Sequence, residues 1–117
     1  MMLDDVDLGI IKSLHENELK GIFMSSYAVT KEMFPNLEKY GLIKKNNFMI
    51  KRLKRLVKYG IITNRQSSKK KIFYAIDKKI VMGTAKLIVK SNNKKIKLDI
   101  GDGFLYRVND KVAFIKL

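Results

Sequence analysis

Asp99, Asp102 and Asp110, the carboxylates that follow Asp77, are the residues of this chain whose type could break a bond. Metal-assisted cleavage of a phosphodiester needs two or more carboxylates converging on one or two cations. Asp102 and Asp110 sit in Gly-Asp-Gly and Asn-Asp stretches, where Asp commonly serves the backbone of a turn. His15 is the only histidine and cysteine is absent. No His/Cys set with the usual ligand number can therefore be assembled, and there is no disulfide or thiolate chemistry. Glycine-rich phosphate loops and nucleophile elbows are missing too. The sequence predicts a protein that is not an enzyme and holds neither metal nor cofactor.

What remains is charge, and it is uneven. Residues 1–43 carry four basic and seven acidic side chains, a net −3. Residues 44–76 carry eleven Lys or Arg and no acid, and residues 77–117 carry a net +6. A lysine-rich surface that only serves solubility would spread its charge over the chain. Eleven cations without one anion in a 33-residue stretch are instead the footprint of a polyanion partner.

The elements that must position those cations can be read from periodicity. From Phe48 to Tyr59, Met49, Ile50, Leu53, Leu56 and Val57 recur at helical spacing on one face. At roughly 100° per residue, Lys51, Lys54, Arg55 and Lys58 fall on the half opposite Leu53, and Arg52 falls near the flank. Gly60 stands where the helix must stop, in the position that favours a left-handed residue. Ile61-Ile62-Thr63 and Ile72 to Ile76 are short apolar runs that predict two strands. The polar segment between them ends in Lys69-Lys70-Lys71. The expected unit is a cationic helix feeding a hairpin with a basic tip.

The stretch Arg52-Leu53-Lys54-Arg55-Leu56-Val57-Lys58-Tyr59-Gly60-Ile61-Ile62, followed by a basic gap and Tyr74-Ala75-Ile76, resembles the "L..L...G.I…Y.." ending common to winged helix-turn-helix transcriptional regulators. The resemblance is close over about thirty residues and extends over roughly the first seventy-six when the upstream helices are included. It implies an α+β fold, with a winged helix-turn-helix over 1–78 and a small antiparallel β-meander extension over 79–117. It also implies sequence-specific binding of double-stranded DNA. Lys51, Arg52, Lys54, Arg55 and Lys58 would lie on the recognition helix, and Arg65, Lys69, Lys70 and Lys71 on the wing.

Upstream, Asp4 or Asp5 is expected to cap a first helix carrying Val6, Ile10, Ile11 and Leu14 and ending near Asn17. Gly9 inside it suggests a close approach by a neighbour. Gly21-Ile22-Phe23-Met24 predicts a short edge strand, and Ser25 or Ser26 is expected to cap a second helix, with Pro35 ending that helix or beginning the next turn. Asn36–Tyr40 reads as a separate extra turn closed by Gly41, with Asn46 or Asn47 capping the cationic helix. Residues 77–85 fit either helix or strand. From Lys86 onward, alternation predicts three or four strands, with turns at Ser91-Asn92-Asn93, Gly101-Asp102-Gly103 and Asn109-Asp110.

No apolar run approaches the roughly 18 residues that span a bilayer, and Met-Met-Leu-Asp-Asp lacks the basic start of a signal peptide. The expected protein is cytoplasmic, with no membrane partner. A homodimer is expected through the residues after Ile76, because one small module offers little DNA interface. No feature defines a small-molecule effector. Two alternatives stand beside DNA readout. One is nucleic-acid binding with little sequence preference, on RNA or as an architectural protein, helped by Phe104 and Tyr106 near Arg107 if they stack on bases. The other is a protein-interaction winged helix.

Overall fold

The computed structural model describes residues 2–67, 69–108 and 110–117, without the side chains of Val89 and Val108. The protein is α+β, three helices followed by antiparallel strands. The chain divides into two compact units, Met1–Asp77 and Lys78–Leu117.

In the first unit, helix α1 covers Asp5–Leu19, α2 Ser26–Met33 and α3 Lys39–Lys58, and strands β1 (Ile62–Gln66) and β2 (Ile72–Ile76) form a hairpin. Asp4 caps α1 through a reciprocal capping box with Asp7. Each carboxylate accepts the other residue's backbone N–H, at 2.9 and 3.1 Å, which satisfies donors that the first turn leaves orphaned. Ser25 caps α2 by accepting from the Ala28 N–H at 3.2 Å. That helix ends at Met33, with Phe34 out of helical conformation, at φ −128° and ψ 67°, before the Pro35 ring. The Met24 carbonyl accepts the Tyr74 N–H at 2.9 Å, so a single antiparallel bridge adds an edge to β2. Gly9 does meet a close neighbour. A Cβ there would lie 2.7 Å from the Met33 methyl group, the mobile end of a flexible side chain.

Helix α3 differs from the sequence expectation. Asn36–Tyr40 is not a separate turn closed by Gly41, and neither Asn46 nor Asn47 caps anything. The connection is Phe34–Glu38, and one helix of twenty residues runs from Lys39 with both asparagines in its interior. Gly41, Asn46 and Asn47 are weak helix formers, each costing up to about 1 kcal/mol relative to Ala. The apolar register overrides them. Leu42, Met49, Leu53 and Leu56 are buried along one continuous stripe at i, i+7, i+11 and i+14, and tertiary packing of such a face contributes more than propensity does. At its far end α3 closes as the sequence predicts. Gly60 sits at φ +76°, its N–H donates to the Val57 carbonyl, and the Ile61 N–H donates to that of Leu56, at 3.0 and 3.1 Å.

Around α3 the core collects Ile10, Ile11 and Leu14 from α1, Val29 from α2, and Ile61, Ile62, Tyr74 and Ile76 from the hairpin. Two polar ties fix the outer elements. Buried Asn17 donates from Nδ2 to the Ser13 carbonyl and to both Glu32 carboxylate oxygens, at 2.8 to 3.1 Å, joining α1 to α2. Glu18 accepts the Ile76 N–H at 3.0 Å, joining α1 to β2.

The second unit is one antiparallel sheet of three strands, β3 (Val81–Ser91), β4 (Lys94–Val108) and β5 (Lys111–Lys116), in that order. Residues left open between helix and strand are thus partly resolved, since β3 starts at Val81. Asn92 and Asn93 both take positive φ, 48° and 63°, and form a two-residue hairpin turn suited to twisted strands. Gly101-Asp102-Gly103, expected as a turn, instead lies within β4. The register slips by one residue there, opposite Ala85 and Lys86, and Gly101 at φ +99° takes up the bulge. The Asp99 carboxylate accepts the Gly101 N–H at 2.9 Å, and Asp102 accepts from the Thr84 hydroxyl at 2.6 Å. Of the remaining turn signal only Asp110 is described; Asn109, like the side chains of Val89 and Val108 in the alternating pattern, lies outside the described residues.

Because Leu53 is wholly buried at the middle of the stripe, Leu53→Ala should lower the unfolding free energy by roughly 2–5 kcal/mol. Urea denaturation followed by helix circular dichroism checks this. A loss below about 1 kcal/mol would mean that α3 is not seated by this stripe.

Candidate nucleic-acid interface

Burying Leu42, Met49, Leu53 and Leu56 dictates what α3 shows on its other side. At roughly 100° per residue, the direction opposite the stripe collects Tyr40, Lys44, Asn47, Lys51, Lys54 and Lys58, all of them exposed. At about 1.5 Å per residue, the row from Tyr40 to Lys58 is about 27 Å long. No acid occurs in Lys39–Lys58, which holds eight basic residues. The sequence-predicted Lys51, Lys54 and Lys58 therefore stand together on one surface. Among the described residues none of them enters an ion pair.

The continuity of α3 adds residues that the sequence reading did not include. Tyr40 and Lys44 belong to the same row, with the Lys44 ammonium 5.0 Å from the Tyr40 ring centroid. Lys45, on the flank, lies between the rings of Phe34 and Phe48, at 4.6 and 4.8 Å. Asn47, assigned to a cap in the sequence, is a mid-helix amide in the centre of the row. The signal for this extension was available, since Leu42 is in helical phase with Met49, but Gly41 interrupts the pattern with a stop signal.

Arg52 and Arg55 occupy a different environment. Both turn toward the start of α1. Arg52 pairs with Asp4 and lies 3.4 Å from Asp7, and Arg55 pairs with Asp7. Asp7 is completely buried, and its Oδ1 and the Arg55 Nε lack hydrogen-bond partners among the described residues. The Arg52 guanidinium stacks 5.0 Å over the Phe48 ring. Hydrogen bonding from Arg52, together with the Asp7 backbone N–H, lowers the Asp4 pKa to about 2, and the Arg52 pKa is raised by the same contact with Asp4. These two arginines brace α3 against α1, so much of their charge is offset inside the molecule.

On the hairpin, Lys69, Lys70 and Lys71 are exposed at the tip. The tip is tied by hydrogen bonds from the Ser67 N–H to the Lys71 carbonyl and from the Lys70 N–H to the Ser67 carbonyl, at 2.8 and 3.0 Å. Lys70 sits at φ +61°, a conformation that costs energy for a residue with a Cβ. Arg65 faces solvent on β1, directly across from Phe73. With Phe23, Phe73, Tyr74 and Ala75 it lines a groove of about 120 Å³, small beside the roughly 300–1,000 Å³ of small-molecule sites.

Phe104 and Tyr106 do not make a stacking platform. Phe104 is fully buried and Tyr106 is half-buried. No described helix is long and apolar enough to cross a membrane. Among the described residues no group of three His, Asp or Glu side chains is placed to hold a metal ion. No protein-family model, curated protein or solved structure matches the chain.

The bracing pairs give two expectations. Truncating Arg55 to Ala strands the buried Asp7 carboxylate. The expected loss is on the order of 2–3 kcal/mol, less than the ~3–5 of a wholly buried pair because the Arg55 side chain is 37% exposed. Asp4 acts through pH. Its folded pKa lies below the ordinary 3.8, so its contribution is fully present above that value and is lost as pH falls toward 2. Asp4→Asn, which keeps a good cap, should flatten the acid limb of stability between about pH 4 and pH 2. An unchanged limb in urea titrations at stepped pH would remove the Arg52–Asp4 pair as its cause.

Proposed function

We propose that residues 1–77 form a winged helix-turn-helix that binds double-stranded DNA, with α3 in the major groove and the β1–β2 hairpin as the wing. The observation that carries this reading is the exposed row Lys44, Asn47, Lys51, Lys54 and Lys58 on a helix rigidly seated by its opposite face. Three helices, an edge bridge at Met24 and a hairpin with a tri-lysine tip, in that order along the chain, support it further. A helix about 10–12 Å across fits a major groove about 12 Å wide. Lys51, Lys54 and Lys58 supply the charge, and Lys69, Lys70 and Lys71 reach adjacent phosphates. Arg52 and Arg55 act mainly by holding α3, and Arg65 contributes from the wing.

Lysine is a point charge and positions more than it reads. Asn47 is the residue of the row with both a donor and an acceptor held in one plane, the combination that matches adenine N7 and N6 in the major groove. On this reading sequence preference rests on Asn47, and affinity rests on the lysines. A transcriptional regulator is the role that such a module fits best.

Binding of the full chain to duplex DNA, to RNA of the same sequence and to a random polyanion, across a salt series, tests the proposal. Duplex DNA should bind most tightly. Lys51→Glu with Lys54→Glu and Lys58→Glu should abolish binding while leaving the helix signal intact. Replacing Lys69, Lys70 and Lys71 with Gln should reduce the salt slope by roughly one unit per lost phosphate contact and weaken all sequences alike. Asn47→Ala should relax a preference for A·T at one position of a selected site, a discrimination of roughly 1–3 kcal/mol. Equal affinity for the three polyanions would contradict sequence-specific DNA binding.

A further inference from the structure

Beyond the bulge, β3 and β4 run on as a two-stranded ribbon, because β5 pairs with β4 only from Gly103 to Val108. Every described side chain from Lys86 to Asp99 is exposed. The thirteen residues from Lys86 to Leu98 hold five lysines and no acid. Register sorts them. Lys90 stands directly opposite Lys95 and Ile88 opposite Lys97, so three ammonium groups share one side of the ribbon next to its turn. Lys86 and Asp99 face each other at the inner end of that side, while Lys94 lies on the other side, opposite Ser91.

That arrangement costs stability. Side chains directly opposite across an antiparallel pair are about 4.5–5.5 Å apart at Cβ, and like charges there repel. The carboxylates of the same side do not offset them. Asp99 accepts the Gly101 N–H and Asp102 the Thr84 hydroxyl, at 2.9 and 2.6 Å. Lys90, four residues beyond Lys86, is about 13 Å further out at roughly 3.3 Å per residue, past the ~8 Å screening length of physiological salt. No described residue forms an ion pair with Lys90, Lys95 or Lys97.

We infer that the β3–β4 ribbon is a second DNA contact of the chain, with Lys90, Lys95 and Lys97 set against duplex phosphates. An anion between the opposed lysines removes their repulsion, and release of counterions from the duplex drives the contact. Shape selects the kind of duplex. The major groove of B-form DNA, about 12 Å wide, admits a two-stranded ribbon, and the deep, narrow major groove of A-form RNA does not. Around the turn, Lys90, Ser91, Asn92, Asn93, Lys94 and Lys95 line a hollow of about 310 Å³. It offers a phosphate group hydroxyl, amide and ammonium donors, the groups that hold a DNA backbone. The site lies wholly within residues 78–117 and goes beyond the DNA-binding reading of the first unit.

Binding of the full chain to a DNA duplex of about 30 base pairs, measured from roughly 50 to roughly 200 mM salt, tests this. Lys90→Gln with Lys95→Gln and Lys97→Gln should lower the salt slope by about two to three units, at about 0.9 per lost phosphate contact. Lys12→Gln with Lys20→Gln and Lys31→Gln removes the same charge from exposed positions of the first unit. That control should change the slope by less than about one unit. The chain lacks cysteine, so Ser91→Cys can carry a photo-crosslinker, a second readout that does not depend on the ribbon variant folding. The label at Ser91→Cys should join to the duplex far more than the same label at Lys12→Cys, and more than to an RNA duplex of the same sequence. Affinity lost in Lys51→Glu with Lys54→Glu and Lys58→Glu, but a slope unchanged in the ribbon variant, would overturn the ribbon site and leave the α3 reading standing. The converse would overturn the α3 reading and support the ribbon. Equal slopes for the two Gln variants, equal labelling from Ser91→Cys and Lys12→Cys, or a preference for the RNA duplex would each overturn the assignment.

Discussion

A carboxylate with no solvent exposure sets the geometry of the first unit. Asp7 contributes to three structures at once: its backbone N–H and carboxylate complete the cap of α1, and the same carboxylate receives Arg55 and approaches Arg52 on α3. Removing two charges from water costs several kcal/mol per ion, and the pair recovers this only when its geometry is good. The net gain in stability is therefore modest, but the constraint on direction is strong. An arginine drawn to Asp7 cannot turn outward without abandoning a buried charge, so α3 is fixed in rotation about its own axis. Its apolar stripe fixes the same rotation independently. Both place Lys44, Lys51, Lys54 and Lys58 toward solvent.

That double constraint answers an electrostatic problem internal to the helix. Eight cations on twenty residues with no acid repel each other at i, i+3 and i+4 spacing. Two are offset by Asp4 and Asp7, and two are spread over the rings of Tyr40, Phe34 and Phe48. Basic residues in the last turn, Arg55 and Lys58, also suit the negative end of the helix dipole. The lysines left on the outer row keep a high local charge because no described residue pairs with them there, and a polyanion would supply the counter-charge.

Much of this was legible in the residues. Apolar spacing from Met49 to Leu56, the stop at Gly60 and the basic gap before Ile72 placed the end of α3 and the hairpin. The Asp4-Asp5 and Ser25-Ser26 pairs marked two helix starts to within a residue, with Asp4 and Ser25 the members that cap, and Pro35 lay just past the end of the second helix. The beginning of α3 was not legible. Gly41 and the Asn46-Asn47 pair carry local stop and cap signals, and only long-range burial of Leu42 overrides them. Nor could charge patterning separate Arg52 and Arg55 from the lysines beside them. Their partners lie 45 or more residues away in sequence, and no periodicity within one helix reports on another. Gly101-Asp102-Gly103 failed for a related reason. Glycine and aspartate mark a turn and a bulge alike, and the pairing of β3 with β4 across Ala85 decides between them.

Amide NMR of the full chain titrated with a short duplex DNA tests the role of the outer row of α3 most directly, because it reads every backbone position at once. Shifts should concentrate on Lys44, Asn47, Lys51, Lys54 and Lys58 and at the hairpin tip around Lys69 to Lys71. The amides of Ile10, Leu14 and Val29 should stay in place, and the Arg52 and Arg55 side-chain signals should keep their contacts with Asp4 and Asp7. Shifts centred on α1 or α2 with a silent α3, or no shifts at saturating duplex, would contradict the assignment.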